Sequence, residues 1–214
     1  MATEIELKYQ LSTNIENYQS LADKITAMLD MRKISFKQAQ YQLKNDYFDN
    51  DELALRKMDF GLRIRSKGNQ FEQTIKTAGK VEGGMHQRPE YNINLSEPKL
   101  NLSLFPSNIW QNNVDVKNLE QSLKVIFSTN FSRQTWLIHL DQNSIELALD
   151  VGEISTGLGK PTIAINEIEI ELIEGEKQAL FELAQLLMDV VIMEPSDRSK
   201  AARGYALYYD AIKG

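Results

Sequence analysis

Close to the start of the chain, Glu4-Ile5-Glu6-Leu7-Lys8 alternates acidic, apolar, acidic, apolar, basic. In a strand that period of two puts Glu4, Glu6 and Lys8 on one face and Ile5 and Leu7 on the other. Glu167-Ile168-Glu169-Ile170-Glu171-Leu172 repeats the pattern with three carboxylates on one face. Between these two segments the same alternation recurs. Lys33 to Phe48 reads as β. Gly61 to Ser66 and Phe71 to Thr77, joined across Lys67-Gly68-Asn69, read as a hairpin that brings Arg63, Arg65 and Lys76 to one space. Further strands carry His86, Arg88, Glu90 and Asn92, then Phe131 to Leu140 with Arg133, then Ser144 to Glu153 with Glu146, Ala148 and Asp150 on one face.

Helical spacing appears at five places. After a Thr13-Asn14-Ile15-Glu16 capping box, apolar residues recur at Tyr18, Leu21, Ala22, Ile25, Met28 and Leu29, a one-sided helix suited to covering strands. A short helical turn is expected over Asp51 to Met58, and a helix over Val116 to Ile126 inside an irregular stretch from Pro98 to Ser128. Lys177 to Met193 has a broad apolar face and ends at Glu194-Pro195. The last helix, Ser199 to Ile212, is expected to bury Ala201, Tyr205, Tyr208, Tyr209 and Ile212, with Lys200 and Arg203 one turn apart. Thr77 to Gly84 and Ser155 to Thr162 read as loops.

The net charge of −6 argues against general affinity for nucleic acid or anionic membranes. With no cysteine there is no disulfide, thiolate metal site or cysteine nucleophile. No secretory signal is read at the N-terminus, and the longest apolar run, Leu186 to Met193, is broken by Asp189 and is far short of the ~20 residues that span a bilayer. A cytoplasmic, single-domain protein over residues 1–214 is expected.

The charges change the picture most. If the strands close into a barrel, as many short antiparallel strands do to remove their edges, their Ile, Leu and Phe faces meet the helices and their charged faces line the inside. So polar an interior cannot be a dry core, because an unpaired buried charge costs several kcal/mol. Converging arginines and lysines suit a polyanion, and guanidinium suits phosphate oxygens. The clustered carboxylates beside them ask for a hard divalent cation, Mg²⁺ or Mn²⁺. Together they point to phosphoanhydride chemistry. The usual nucleotide fingerprints are missing: Gly79-Lys80 lacks P-loop spacing, Gly157-Leu158-Gly159 lacks a following helix, and no Gly-x-Ser-x-Gly elbow occurs. Of the two histidines, His86 is assigned to the lining and His139 to a structural role.

An ordered series of these motifs resembles the CYTH superfamily, the triphosphate tunnel metalloenzymes. It comprises Glu4-x-Glu6-x-Lys8, Tyr47-Phe48-Asp49 before Leu62-Arg63-Ile64-Arg65, Thr74-Ile75-Lys76, the Arg88/Glu90 strand, Arg133, the Glu146/Asp150 strand, Glu169-x-Glu171, and Ser199-Lys200-Ala201-Ala202-Arg203. Gly83 to Asn92 is similar to the bacterial inorganic triphosphatase branch; no CHAD domain, the helical partner common there, is read in the sequence. The resemblance implies an α+β fold: an eight-stranded antiparallel closed β-barrel with peripheral helices. It implies triphosphate binding through Lys8, Arg63, Arg65, Lys76, Arg88, Arg133, Lys200 and Arg203. Glu4, Glu6, Asp150, Glu169 and Glu171 would hold one or two metals, with Glu146 and Glu167 as further candidates, and Glu169 and Glu171 would act in catalysis. Hydrolysis of inorganic triphosphate to pyrophosphate and phosphate is the activity implied. Class IV adenylate cyclase, thiamine triphosphatase and a polyphosphate-binding module without turnover remain the alternatives.

Overall fold

A computed structural model describes residues 2–11, 18–110, 114–159 and 162–213; the expected capping box at 13–16 lies outside them. The strands are β1 (Ala2–Leu11), β2 (Ser35–Asp49), β3 (Gly61–Lys67), β4 (Gln70–Lys76), β5 (Lys80–Glu82), β6 (Met85–Leu95), β7 (Lys124–Leu140), β8 (Asn143–Ser155), β9 (Ile163–Glu174) and β10 (Met193–Pro195). The helices are α1 (Tyr18–Met31), α2 (Ala54–Lys57), α3 (Val116–Ser122), α4 (Gln178–Met188) and α5 (Lys200–Lys213).

Eight strands run β1-β9-β8-β7-β2-β3-β4-β6, and β6 pairs back onto β1, so the sheet closes into an antiparallel barrel. The closing edge of β1 is shared: β6 takes Ala2 to Leu7 and the short β10 takes Tyr9 to Leu11. Closure satisfies the backbone groups that an open edge would expose.

Alternation decides what each face meets. The outward residues of β1, β7, β8 and β9, among them Leu7, Trp136, Leu147, Ile168 and Ile170, form one core with α1 and α4. Those of β3, β4 and β6 form a second with α2 and α3. The third core lies inside the barrel, where no core was expected from the alternation of charges. Leu43, Phe127, Phe131, Ile154 and Ile165 have the parity of the inward charges, and against them pack Tyr205 and Tyr208 of α5. Gly204 makes this approach possible, since a Cβ there would stand 2.2 Å from Phe127 Cε2. The seat is fixed by Asp49, whose carboxylate accepts from the Tyr205 hydroxyl at 2.8 Å and from the backbone N–H groups of Leu55 and Arg56 at 3.0 Å. Helix α5 is therefore partly an interior element. Ala201 packs against this core, but Tyr209 and Ile212, expected on the buried side, are 38% and 53% exposed.

Three other expectations are corrected. The helix expected over Val116 to Ile126 stops at Ser122, because Val125, Ile126 and Phe127 favour a strand, and β7 begins seven residues before Phe131. Helix α4 ends at Met188, five residues early, with Met193 drawn into β10. The Thr77 to Gly84 loop contains the exposed edge strand β5.

Candidate active site

What α5 leaves unfilled is a cavity of about 200 Å³ walled by the inward charges, room for roughly six or seven waters at ~30 Å³ each. All the residues assigned to substrate binding, metal or catalysis lie on its wall except Asp150, Glu167 and Arg203, which sit buried behind it.

The wall has two electrostatic regions. Near α5, three carboxylates meet four cations. Arg133 grips Asp150 through Nε to Oδ1 at 2.8 Å and Nη2 to Oδ2 at 2.7 Å, and donates to Glu169 at 2.5 Å. Lys200 reaches Asp150 at 2.6 Å, Glu169 at 3.0 Å and also Glu167. Arg203 pairs with Glu167 and donates to the Ala164 carbonyl at 3.1 Å. Lys8 contacts Glu169, and lies 3.5 Å from both Glu167 and Glu6. Burial alone would raise the Glu169 carboxyl, but Lys200, Lys8 and Arg133 hold it well below the usual carboxylate range. Oxygens of Asp150, Glu167 and Glu169 all fall within 4.8 Å of one another, spacing that could hold an ion. Their charge is already matched by lysine and arginine.

The second region is unbalanced in both senses. Glu171 stands opposite Glu6 on β1 and opposite Glu146 on β8. Burial, then Glu4 and Glu6, push its carboxyl up to about 8. Among the described residues it makes no ion pair, and Glu4 Oε2 is buried without a hydrogen-bond partner. Lys76 contacts Glu4 and sits 3.2 Å from Glu90; burial is outweighed by Lys76 and Arg63, which hold Glu90 at about 2. An all-oxygen set with excess negative charge suits a hard divalent cation by donor type and charge, so Glu4, Glu6 and Glu171 fit the metal in chemistry; their oxygens, unlike those of Asp150, Glu167 and Glu169, do not all lie within 4.8 Å of one another. Across the cavity, Arg65 donates to Asn45 Oδ1 at 2.8 Å but has no carboxylate partner among the described residues. Burial, Arg63 and Arg133 lower it to about 10. That guanidinium is short of an anion.

The C-terminal segment that delivers Lys200 is stitched to the closing strands. Ser196 N–H donates to Lys8 O at 2.9 Å, Gly84 N–H to Asp197 Oδ1 at 2.7 Å, and His86 Nε2 lies 3.0 Å from the Ser196 carbonyl, to which it donates. His86, expected on the lining, is 1% exposed and stands behind the wall. Tyr47, Thr74, Asn92 and Ser199 line the cavity without having been assigned to the site. For Tyr47 the signal was its place two residues after Asn45 on β2, in register with Arg63.

A CYTH domain model matches residues 2–205. A Haemophilus influenzae protein named inorganic triphosphatase is 38% identical over 211 residues, covering 97% of this chain and 55% of that protein, so the chain spans about half the length of this relative. In fold, the chain is similar to a Hippeastrum protein described as an adenylyl cyclase with a dominant triphosphatase activity, with a TM-score of 0.66 at 21% identity over 95% of each chain. It is also similar to a Bacillus halodurans protein named as an adenylate cyclase, with a TM-score of 0.55 at 24% identity over 95% of this chain and 98% of that one. Among the described residues no helix is long and apolar enough to cross a membrane. Matched by the family model over nearly its whole length, the chain belongs to the CYTH domain family.

Proposed function

We propose that the chain hydrolyses inorganic triphosphate to pyrophosphate and phosphate inside the barrel, with a divalent cation, Mg²⁺ or Mn²⁺, held by Glu4, Glu6 and Glu171. The observation that carries this reading is the wall itself. One cavity of about 200 Å³ holds Glu171, a carboxylate without a cation, Glu4, one of whose oxygens is buried without a hydrogen bond, and Arg65, a guanidinium without an anion. A metal–polyphosphate complex supplies both missing charges. The name of the 38% identical relative supports the same substrate.

When bound, the cation supplies Lewis-acid neutralisation of phosphoryl oxygens and lowers the pKa of bound water. Arg63 and Arg65 hold the phosphate chain from the side opposite Glu171, Lys76 and Arg88 hold it from beside Glu4, and Lys8, Arg133 and Lys200 add charge near α5. Water attacks the terminal phosphorus, a new P–O bond forms, and the bridging P–O bond breaks with its electron pair leaving on pyrophosphate. Glu169 and Glu171 orient that water, and Glu171 Oε takes up its proton. Asp150, Glu167 and Arg203 act behind the wall, fixing Arg133, Lys200 and Lys8.

Phosphate release from inorganic triphosphate, ATP and thiamine triphosphate, with Mg²⁺, Mn²⁺ or EDTA, tests the reading. Metal-dependent release from inorganic triphosphate at a rate well above the other two is expected. Cyclic AMP from ATP would replace it with the cyclase reading, preferential thiamine triphosphate hydrolysis with the thiamine reading, and saturable binding without release with a polyphosphate-binding module.

A further inference from the structure

Tyr47 belongs to the wall, is 6% exposed, and sits in register with Arg63 across the β2–β3 pairing. Its ring is clamped: it stacks on Phe127 at 4.5 Å with 18° between planes, and Phe127 meets Tyr205 edge-on at 5.4 Å. The ring is thus braced by α5 through the interior core, and only the phenol end is left to the cavity. There it stands beside Arg63, its partner in register and a neighbour on the same wall. A guanidinium can only donate, so Arg63 offers the phenol no acceptor, and the phenol hydrogen is left to be given elsewhere. The cations that share this wall with it, Arg63, Arg65 and Lys76, likewise offer it no acceptor.

From this arrangement we infer that Tyr47 is a substrate-binding residue, its O–H donating to a phosphate oxygen of the polyphosphate that Arg63 and Arg65 hold. The inference rests on the triphosphate reading and adds a neutral donor to a set otherwise made of charges. Tyr47 fixes where one phosphoryl group lies against Arg63. Its rigid ring makes it a gauge of position that flexible lysines are not.

The test is Tyr47→Phe, which keeps the ring and its stack on Phe127 and removes only the hydroxyl. Steady-state kinetics on inorganic triphosphate should show KM raised about tenfold to a hundredfold, the worth of a hydrogen bond to a charged group. A change of less than about threefold is expected in kcat, because the contact is present before and during the reaction. Placing 3-fluorotyrosine at position 47, which restores a donor, should return KM to the parent value. The same substitution in an Arg63→Lys background should still raise KM severalfold. An unchanged KM in Tyr47→Phe, no rescue by fluorotyrosine, or loss of the effect when Arg63 is replaced would overturn the inference while leaving the triphosphatase reading intact. A parent protein that neither binds nor hydrolyses inorganic triphosphate would overturn both.

Discussion

Glu167→Gln isolates what the ion network near α5 contributes. Glu167 is 1% exposed, it pairs with Lys200 and Arg203, and Lys8 Nζ lies at 3.5 Å. Glutamine has nearly the same volume but no charge, so four buried cations would face two carboxylates instead of three. Breaking a buried pair by removing one partner costs about 3–5 kcal/mol, because the orphaned charge stays buried. For a domain of this size each kcal/mol is worth roughly 2–4 °C, so Tm should fall by about 6–20 °C. The assay is thermal unfolding in EDTA, followed by the same melt with inorganic triphosphate, whose oxygens should take over part of the lost charge and narrow the gap. If the cluster of Asp150, Glu167 and Glu169 were instead a metal site, removing one ligand would relieve repulsion in EDTA and Tm would hold or rise. That result would refute the assignment of Glu167 as a clamp for cations.

Glu6→Gln and Glu171→Gln should each abolish most metal-dependent phosphate release with little loss of folding, and near-parent rates in both would remove these residues from the metal site. With its carboxyl held at about 8 against an ordinary 4.5, Glu171 stabilises the fold most below pH 4.5 and loses that contribution as pH rises to about 8. Metal-free melts should therefore show the parent falling behind Glu171→Gln between pH 5 and 8. Arg65→Gln should weaken triphosphate binding with no loss of stability, since it frees the protein of an unmatched buried charge. Arg203→Gln should do the reverse, lowering Tm more than affinity; calorimetric titration beside melting checks both. Gly204→Ala gains about 1 kcal/mol of helix propensity but drives a methyl to 2.2 Å from Phe127, and overpacking costs ~1–3 kcal/mol. A Tm lower by a few degrees is expected, and a higher one would mean that α5 sits more loosely than described.

How much of this was legible in sequence follows from what alternation encodes. Parity alone placed Glu4, Glu6 and Lys8 together, set Arg63 and Arg65 beside Lys76, and turned every one of these side chains inward, because a strand has only two faces. Parity says nothing of depth along the barrel. Asp150 and Glu171 share the inward face on neighbouring strands, yet one is gripped by Arg133 while the other is left without a cation. Nor could the third core be read. Phe127, Phe131 and Ile154 have the same hydrophobicity whether they face helices outside or α5 inside, and telling these apart needs the register of β2 against β7. Tyr47 escaped for a related reason: an aromatic set among polar residues in a strand reads as a core anchor, and most of Tyr47 is core. Only its hydroxyl belongs to the site.

The same interior helix explains why the charges are unevenly matched. By filling one end with Tyr205 and Tyr208, α5 removes the water that would otherwise hydrate Asp150, Glu167 and Glu169. It has to bring Lys200 and Arg203 with it, since those carboxylates could not stay ionised and unpaired in a dry end. Those cations are thus committed before any ligand arrives, and Lys8 and Arg133, which answer to the same carboxylates, have little charge to spare. What remains for a polyanion is Arg65, with no acid beside it, and Arg63 and Arg88, whose nearest carboxylate contacts are as long as 3.8 Å. Affinity for phosphate should therefore reside mainly on β3, across the barrel from the cation-free Glu171 of β9, with Arg88 of β6 adjoining it beside Glu4 of β1. A ligand drawn to both sides has to span the cavity, and that requirement favours an extended polyphosphate carrying a cation over a single phosphate.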